Sequence, residues 1–259
     1  MAKENSGSNA VKTSVLALAI ITSLGTTLAT TSHAKARPSS IDTVNRAAPK
    51  YPSDVVPLSR ANGFFRNNDA PDFWALMPYH TGQTTNSACS LATATILLNG
   101  MRRNVPLGQG DPLLTGESIL DRTADKAWKK ATDEDGGGVS LEQFASILRK
   151  AFKAHGFAAA GADAVYQSSN FASGELEFER DLIKDAGSAR DFIILNFDQG
   201  YVMDDVSVGH FAIVGAYDKA TRRILILDPD RDWYEPYWAP IGKVYRSMAE
   251  TRGYIRVTY

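Results

Sequence analysis

The chain has 259 residues, of which 44% are hydrophobic and 22% charged, with 28 basic against 29 acidic side chains and one cysteine. This composition is typical of a globular protein, and the balanced charge gives no reason to expect nucleic acid or an anionic membrane as a partner. A single cysteine excludes an internal disulfide and any metal site built from several thiolates.

The first 34 residues are typical of a secretory signal peptide. Lys3 and Lys12 precede an apolar run from Val15 to Leu24, and small residues flank the end of the tract at Ser32-His33-Ala34. The apolar run is shorter than the roughly 20 residues needed to span a bilayer, which argues against a membrane anchor. We therefore expect cleavage after Ala34, export to the bacterial periplasm and no stable membrane insertion of the mature protein.

Two segments follow the signal peptide before any strand is predicted. Residues 35–70 are rich in Pro, Ser, Arg and Asn, which predicts an extended arm ahead of a domain over residues 71–259. The run from Ser87 to Met101 is apolar almost all round. It predicts a buried helix that stops at Asn99-Gly100.

Residues 140–155 predict an amphipathic surface helix. Ser140 and Gln143 form a capping box, and Gly156 ends the helix. The apolar stripe consists of Leu141, Phe144, Leu148, Ala151 and Phe152. His155 falls in the last turn, where a cation would complement the helix dipole. The preceding acidic and glycine-rich loop, 133–138, lacks the EF-hand pattern and predicts a solvated turn.

From residue 191 onward the periodicity changes to that of short strands. The predicted strands are Phe192–Phe197, Phe211–Tyr217, Arg223–Leu227 and Tyr254–Tyr259. Helices followed by strands predict an α+β fold in which a helical lobe packs on an antiparallel sheet lobe, with a ligand cleft between the two.

Cys89 lies in the first turn of the predicted buried helix. A helix N-terminus favours the thiolate form, which is the reactive form of a cysteine. A lone cysteine on an apolar helix is also commonly a small buried hydrophobe, and helix position alone favours that interpretation.

Two histidines stay as candidates for a base, because His33 leaves with the signal peptide and His155 is explained by its helix. These are His80 and His210. If Tyr217 pairs with Arg223 in the predicted hairpin, His210 and Asp228 become diagonal neighbours on one face. Such an acid would orient the imidazole. Asp230, which the same register places opposite His210, is a rival for that role.

Gln83 lies six residues before Cys89, and its side-chain amide is a candidate donor to a developing oxyanion. The order Gln, Cys, His, acid, with the cysteine on a helix and the histidine and acid on a later sheet, is that of papain-like cysteine peptidases and acyltransferases.

Four segments resemble the phytochelatin synthase family over most of residues 73–259. They are FWALMPYHTGQTTNSACSLATATILLNG, GGGVSLEQFASILRKAFKAHGF, VGHFAIVGAYDKATRRILILDPDRDWYEPYWAP and TRGYIRV. The most specific block runs from Asp228 through Arg231, Tyr234 and Pro236 to Trp238. The resemblance implies a papain-like fold with Cys89 as nucleophile, His210 as general base and acid, Asp228 as its orienting partner and Gln83 as oxyanion donor.

The resemblance also implies glutathione and related thiol peptides as substrates. Cys89 would release glycine and retain a γ-Glu-Cys thioester, which passes to a second thiol peptide or to water. The chain resembles the short bacterial form, which lacks a cysteine-rich C-terminal domain. No tightly bound cofactor or catalytic metal is implied, because heavy metals such as cadmium or zinc act as thiolate complexes of the substrate. A homodimer is compatible with the sequence.

Three further residues are assigned to substrate binding. Arg252 matches a family arginine that resembles a ligand for the glutamyl carboxylate, Arg231 lies near the same cleft, and Tyr234 lines it. Arginine suits a doubly acidic peptide because its guanidinium binds carboxylates in a bidentate way.

The sequence departs from the family pattern at two places. Ser90 stands where the family usually has Gly, and its side chain is expected to narrow the approach to the nucleophile. The segment between Met248 and Arg252 is shorter than in the family, and the acid that would recognise the glutamyl amine is missing from its usual place. Glu250 is the candidate to replace that acid. Two alternatives stay open: a papain-like peptidase acting on other peptides, and a non-catalytic periplasmic thiol or metal binder.

Overall fold

The computed structural model describes residues 49–249 and 252–259. The predicted signal peptide with its cleavage site, the first part of the predicted arm, and Glu250 lie outside the described residues. Within the described part of the chain, no helix is long and apolar enough to cross a membrane.

The described strands form one seven-stranded sheet in the order β1-β6-β5-β4-β3-β7-β2, and every neighbouring pair is antiparallel. The strands are β1 Val56–Pro57, β2 Gly161–Tyr166, β3 Asp191–Asp198, β4 Gly209–Asp218, β5 Arg223–Leu227, β6 Tyr237–Pro240 and β7 Gly253–Thr258. The α+β class is therefore confirmed.

Helices pack on both faces of this sheet. They are α1 Phe64–Asn67, α2 Pro71–Leu76, α3 Cys89–Arg102, α4 Gly116–Thr123, α5 Lys126–Ala131, α6 Leu141–Ala154, α7 Phe171–Asp185, α8 Gln199–Met203 and α9 Ile241–Ser247, with 3-10 turns at Leu58–Arg60 and Met77–Tyr79. Residues of α2, α3 and α6 share one apolar core with one face of the sheet, and residues of α7, α8 and α9 share a second core with the other face. The sheet is thus the middle layer, because alternate residues of each central strand enter different cores.

Helix α3 is buried along its length, as predicted, and Cys89 is its first residue. Its predicted end is wrong, because the helix continues through Asn99-Gly100 to Arg102. Gly100 serves packing instead of termination. A Cβ at this position would lie 2.9 Å from Leu76 Cδ2 and 3.0 Å from the Ala75 carbonyl oxygen, so only glycine lets α2 approach α3 this closely.

Helix α6 is confirmed, including its capping box and its buried stripe. The cationic role predicted for His155 is wrong. Burial and the nearby charges of Arg122 and Arg102 lower the pKa of His155 to about 4, so its ring is neutral at pH 7.

The four predicted strands correspond to β3, β4, β5 and β7, with ends that differ by no more than two residues. Strands β1, β2 and β6 were not predicted. The C-terminal half also contains α8 and α9, so it is not sheet alone.

The hairpin of β4 and β5 differs from its predicted register at the turn and agrees with it near the end of β5. Asp218 pairs with Arg223 and Tyr217 with Ile224, one residue away from the predicted pairing. An irregularity between Val214 and Ala216 then shifts the register, and Ile213 pairs with Leu227. Gly215 is the extra residue of this β-bulge, and the bulge restores the predicted pairing beside His210 and Asp228.

Candidate active site

The first component of the site is a thiol at the start of a helix. Cys89 opens the 14-residue helix α3, and 8% of the residue is exposed. The structure therefore places the cysteine at a helix N-terminus, as predicted.

The second component is an imidazole with a partner on each side. His210 Nε2 lies 2.8 Å from Asp228 Oδ1, and Cys89 lies near enough to the ring to raise its pKa. Since Asp228 occupies Nε2, the interaction with the thiol falls to Nδ1. The structure thus brings together Cys89, His210 and Asp228 in one row, in which His210 and Asp228 are hydrogen-bonded.

Asp228 is fully buried, yet its carboxylate accepts four hydrogen bonds. Oδ1 accepts from His210 and from the backbone N–H of Asp230 at 2.9 Å. Oδ2 accepts from Gln199 Nε2 at 3.0 Å and from the Tyr237 hydroxyl at 2.8 Å. These donors fill the acceptor capacity of the carboxylate. Asp228, and not its rival Asp230, is the residue on the imidazole.

The electrostatics of the row favour a charged pair. Burial alone would raise the pKa of Asp228, but the charge and hydrogen bond of His210, with the other donors, lower it to about 2. Burial would lower the pKa of His210, but the charge and hydrogen bond of Asp228, and then Cys89, hold it well above its usual value. These shifts favour a protonated imidazole beside an ionised carboxylate.

Cys89 borders a cavity of about 480 Å³. The wall includes the start of α3, the glycines 136–138, Asn196, Gly209 and Arg252. The loop 133–138 therefore has two parts. Its three acidic residues are exposed, as predicted, whereas its glycines form a wall of the cleft. Ser87 Oγ donates to the Gly136 carbonyl, which holds this wall beside Cys89.

Arg252 lies on the wall of this cavity, as the resemblance implies. Its Nη1 is 3.5 Å from Asp198 Oδ2, and its side chain is about one quarter exposed. Asp198 in turn accepts hydrogen bonds from the backbone of Tyr201 and Val208. Arg252 is thus a partly solvated cation with one ionic contact, in reach of a ligand in the cleft.

Arg231 and Tyr234 are not on the wall of the cavity. Arg231 is exposed, and its Cβ packs against Gly82. Tyr234 is buried, and its ring contacts those of Tyr51 and Tyr237. The aromatic packing accounts for the position of Tyr234, which is not among the residues that line this cavity.

Gln83 precedes Cys89 in a loop that is tied to the end of strand β5. Its backbone N–H donates to the Pro229 carbonyl at 2.8 Å, while its side-chain Oε1 is buried without a hydrogen-bond partner. This loop therefore lies against the residue that follows Asp228.

Ser90 does not narrow the cleft, contrary to expectation. Its side chain is fully buried, and its Oγ accepts a hydrogen bond from Trp128 Nε1 at 3.0 Å. The hydroxyl thus belongs to the core between α3 and α5.

Sequence reasoning missed the residues that hold Asp228. Gln199 begins a five-residue helix directly after strand β3, and Tyr237 lies in the block that begins at Asp228. An aromatic hydroxyl close in sequence to a candidate catalytic acid was the available signal for Tyr237, whereas nothing local singled out Gln199.

Among residues 49–249 and 252–259, no group of three or more His, Cys, Asp or Glu side chains is arranged to hold a metal ion.

A thiol, an imidazole and a carboxylate in this order are the groups that enzymes with a cysteine nucleophile use. Residues 58–254 match the family model described as phytochelatin synthase. Because this match covers more than half of the chain, the protein belongs to the phytochelatin synthase family.

The matched range contains every site residue named above, from Gln83 to Arg252. Over 192 residues the chain is 23% identical to the glutathione gamma-glutamylcysteinyltransferase of Schizosaccharomyces pombe (strain 972 / ATCC 24843). The alignment covers 71% of this chain and 42% of that protein, so the chain spans less than half the length of the relative.

Proposed function

We propose that this protein is a glutathione γ-glutamylcysteinyltransferase and peptidase that removes glycine from glutathione through a thioester on Cys89. The observation that carries the proposal is the row of Cys89, His210 and Asp228 at the edge of a cleft that also contains Arg252. Family membership and the name of the fungal relative support the substrate class.

In the first half-reaction, the Cys89 sulfur attacks the carbonyl carbon of the Cys–Gly amide. The bond to the glycine nitrogen then breaks, and His210 delivers its proton to that nitrogen, so glycine leaves as a neutral amine. The buried charge of Asp228 stabilises the imidazolium until this transfer. The product is a γ-Glu-Cys thioester on the enzyme.

In the second half-reaction, a nucleophile attacks the thioester carbonyl and loses its proton to His210, and the Cys89 thiolate departs. When the nucleophile is the amine of a second thiol peptide, the product is a longer γ-Glu-Cys chain. When it is water, the product is free γ-Glu-Cys. A thiolate complex of cadmium or zinc with the peptide enters this scheme as substrate.

Three groups are assigned to binding the substrate or its intermediate. The Gln83 side-chain amide and the backbone N–H of Cys89 donate to the oxyanion of the tetrahedral intermediate. Arg252 binds the carboxylate of the glutamyl residue, for which its place on the cavity wall is the support. Arg231, being exposed next to Gly82, has less support as a ligand.

The proposed fold detail is papain-like, with the nucleophile on helix α3 and the base and acid on the antiparallel sheet against which α3 packs. Export to the periplasm also stays a proposal. An N-terminus near Lys35 on the secreted protein, measured by mass spectrometry, would support it, and an intact Met1 would contradict it.

The decisive experiment is to trap the acyl-enzyme. Rapid quenching after addition of glutathione, followed by peptide mapping with mass spectrometry, is expected to find γ-Glu-Cys on Cys89 and an equivalent of free glycine. The Cys89→Ser variant serves as the control and is expected to form neither. His210→Ala is expected to lower the rate by several orders of magnitude, because nucleophile activation and leaving-group protonation are lost together.

The same experiment separates the alternatives. A papain-like peptidase of other specificity would cleave an α-linked Glu-Cys-Gly peptide at least as fast as glutathione. A non-catalytic binder would retain glutathione or cadmium unchanged after Cys89→Ser and would release no glycine. Either result would overturn the proposal.

A further inference from the structure

His80 is a histidine that the proposed chemistry does not use, yet it contacts the backbone of Asp228, directly after strand β5. Its Nε2 lies 2.9 Å from the Asp228 carbonyl oxygen. Because a carbonyl oxygen only accepts, Nε2 carries the proton and donates. Burial lowers the pKa of His80, so the ring makes this bond in its neutral form.

A second hydrogen bond joins the same two segments. The Gln83 N–H donates to the Pro229 carbonyl at 2.8 Å, one residue beyond the contact of His80. Between the two bonds, a Cβ on Gly82 would lie 3.2 Å from Arg231 Cβ, so the segments are in close contact there. Residues 80–83 are therefore fastened to residues 228–231 at both ends.

The side chain of Gln83 has no comparable anchor at its oxygen, because Oε1 is buried without a partner. The position of its amide is consequently set by the main chain that carries it. That main chain depends on the two hydrogen bonds to Asp228 and Pro229.

Asp228 thus serves both halves of the site. Its side chain orients His210, and its backbone carbonyl accepts from His80. A displacement of the segment 80–83 would move the oxyanion donor without disturbing the carboxylate that holds the base.

The geometry points to His80 as a positioning residue that fixes the Gln83 loop against Asp228, so that the Gln83 amide meets the oxyanion. This inference rests on the proposed function, since it assigns a role within the same reaction. In this role His80 acts through Gln83.

The test compares two reactions of Cys89 in His80→Leu and His80→Gln variants. Release of glycine from glutathione passes through an oxyanion, whereas alkylation of Cys89 by iodoacetamide needs the thiolate but forms no tetrahedral intermediate. Loss of one oxyanion donor typically lowers kcat by about 10²–10³-fold. We expect His80→Leu to lower kcat by roughly tenfold or more, but by no more than the complete loss of an oxyanion donor would. KM should change little, and the alkylation rate should not change.

His80→Gln is expected to recover most of the activity, because its side-chain N–H can replace Nε2. In a Gln83→Ala background, His80→Leu should add little, since a residue that acts through Gln83 has no effect once that amide is gone. His155→Leu is the matched control for losing a partly buried histidine and should leave both reactions unchanged.

Three results would overturn the role of His80 while leaving the proposed function intact. They are an unchanged kcat in His80→Leu, an equal loss of alkylation and turnover, and a full additional loss in the Gln83→Ala background. Absence of glycine release from the wild-type protein would overturn the proposed function, and this role with it.

Discussion

The hydroxyl of Tyr237 is a sensitive place to perturb the site without touching Cys89 or His210. It donates at 2.8 Å to Asp228 Oδ2, inside a region that water does not reach. In Tyr237→Phe, Oδ2 keeps only the bond from Gln199. A hydrogen bond to a buried charge contributes about 1.5–3 kcal/mol, and we expect the free energy of unfolding at pH 7 to fall by that amount.

The same loss raises the pKa of Asp228 by about one to two units from its value of about 2. The shifted pKa still lies well below 7, so the carboxylate stays ionised at pH 7 and turnover should fall by less than about tenfold. Urea denaturation provides the free energy, and a melting temperature lower by about 3–12 °C is the thermal counterpart.

Two controls make this prediction specific. In an Asp228→Asn background the same hydroxyl faces a neutral amide, and its removal should cost only about 0.5–1.5 kcal/mol. Tyr254→Phe removes a comparable hydroxyl, which donates to Asp181 at 2.6 Å, and should reduce stability without changing glycine release. An equal loss of stability in both Asp228 backgrounds would show that Tyr237 contributes packing and not a bond to the charge, and the reasoning would be refuted.

Three further changes test the fold around the site. Burial raises the pKa of Asp72 to about 8, so the folded state holds a proton that the unfolded chain releases near pH 4. Stability should therefore decline as the pH rises from about 4 to 8. In Asp72→Asn, melting temperatures measured over this range should decline less. Gly100→Ala should destabilise although alanine favours helices by about 1 kcal/mol, because its Cβ would lie 3.0 Å from the Ala75 carbonyl oxygen; a higher melting temperature would contradict this packing. Ser90→Gly should cost about 1–3 kcal/mol by leaving the Trp128 N–H unpaired, while the turnover of the folded enzyme stays unchanged; faster turnover would place the serine back at the cleft.

The sequence predicted those elements whose signal is local. Helix α6 has its own capping box and apolar stripe, and α3 is apolar all round, so residue spacing alone predicts both helices. Strands β3, β4, β5 and β7 form the centre of the sheet and read as short apolar runs because each is buried on both faces.

The missed elements depend on tertiary contacts. Strand β1 has two residues and exists through its pairing with Trp238 and Tyr237 of β6. Strand β2 is an edge strand rich in small residues, and α8 is five residues long. Such short segments gain their stability from the sheet that they cover, so their own sequences carry little pattern.

The site shows the same division. Cys89 and His210 stood out through the order Gln, Cys, His, acid and through the family resemblance, since the helix position of Cys89 alone favours a buried hydrophobe. The donors to Asp228 come from α8 and β6, which converge only in the folded sheet. Substrate-binding residues were the hardest to predict, since a sequence does not distinguish a surface arginine or a packed tyrosine from one that binds a ligand. In the structure, Arg252 lies on the cavity wall and Tyr234 lies in the core.

The pairing of His210 with Asp228 depends on a feature that hairpin counting does not contain. In the observed turn Asp218 pairs with Arg223. If the pairing continued from there without an irregularity, every pair beyond the bulge would differ by one residue from the pair that is observed. A shift of one residue turns side chains to the opposite face of a sheet, which would separate the imidazole from its carboxylate. The bulge at Gly215 accommodates that extra residue. A Cβ at this position would lie 2.9 Å from Leu227 Cγ, so glycine fits there better than a residue with a side chain. The predicted contact was therefore right although the pairing assumed at the turn was wrong, because two displacements of one residue cancel before the strand reaches His210.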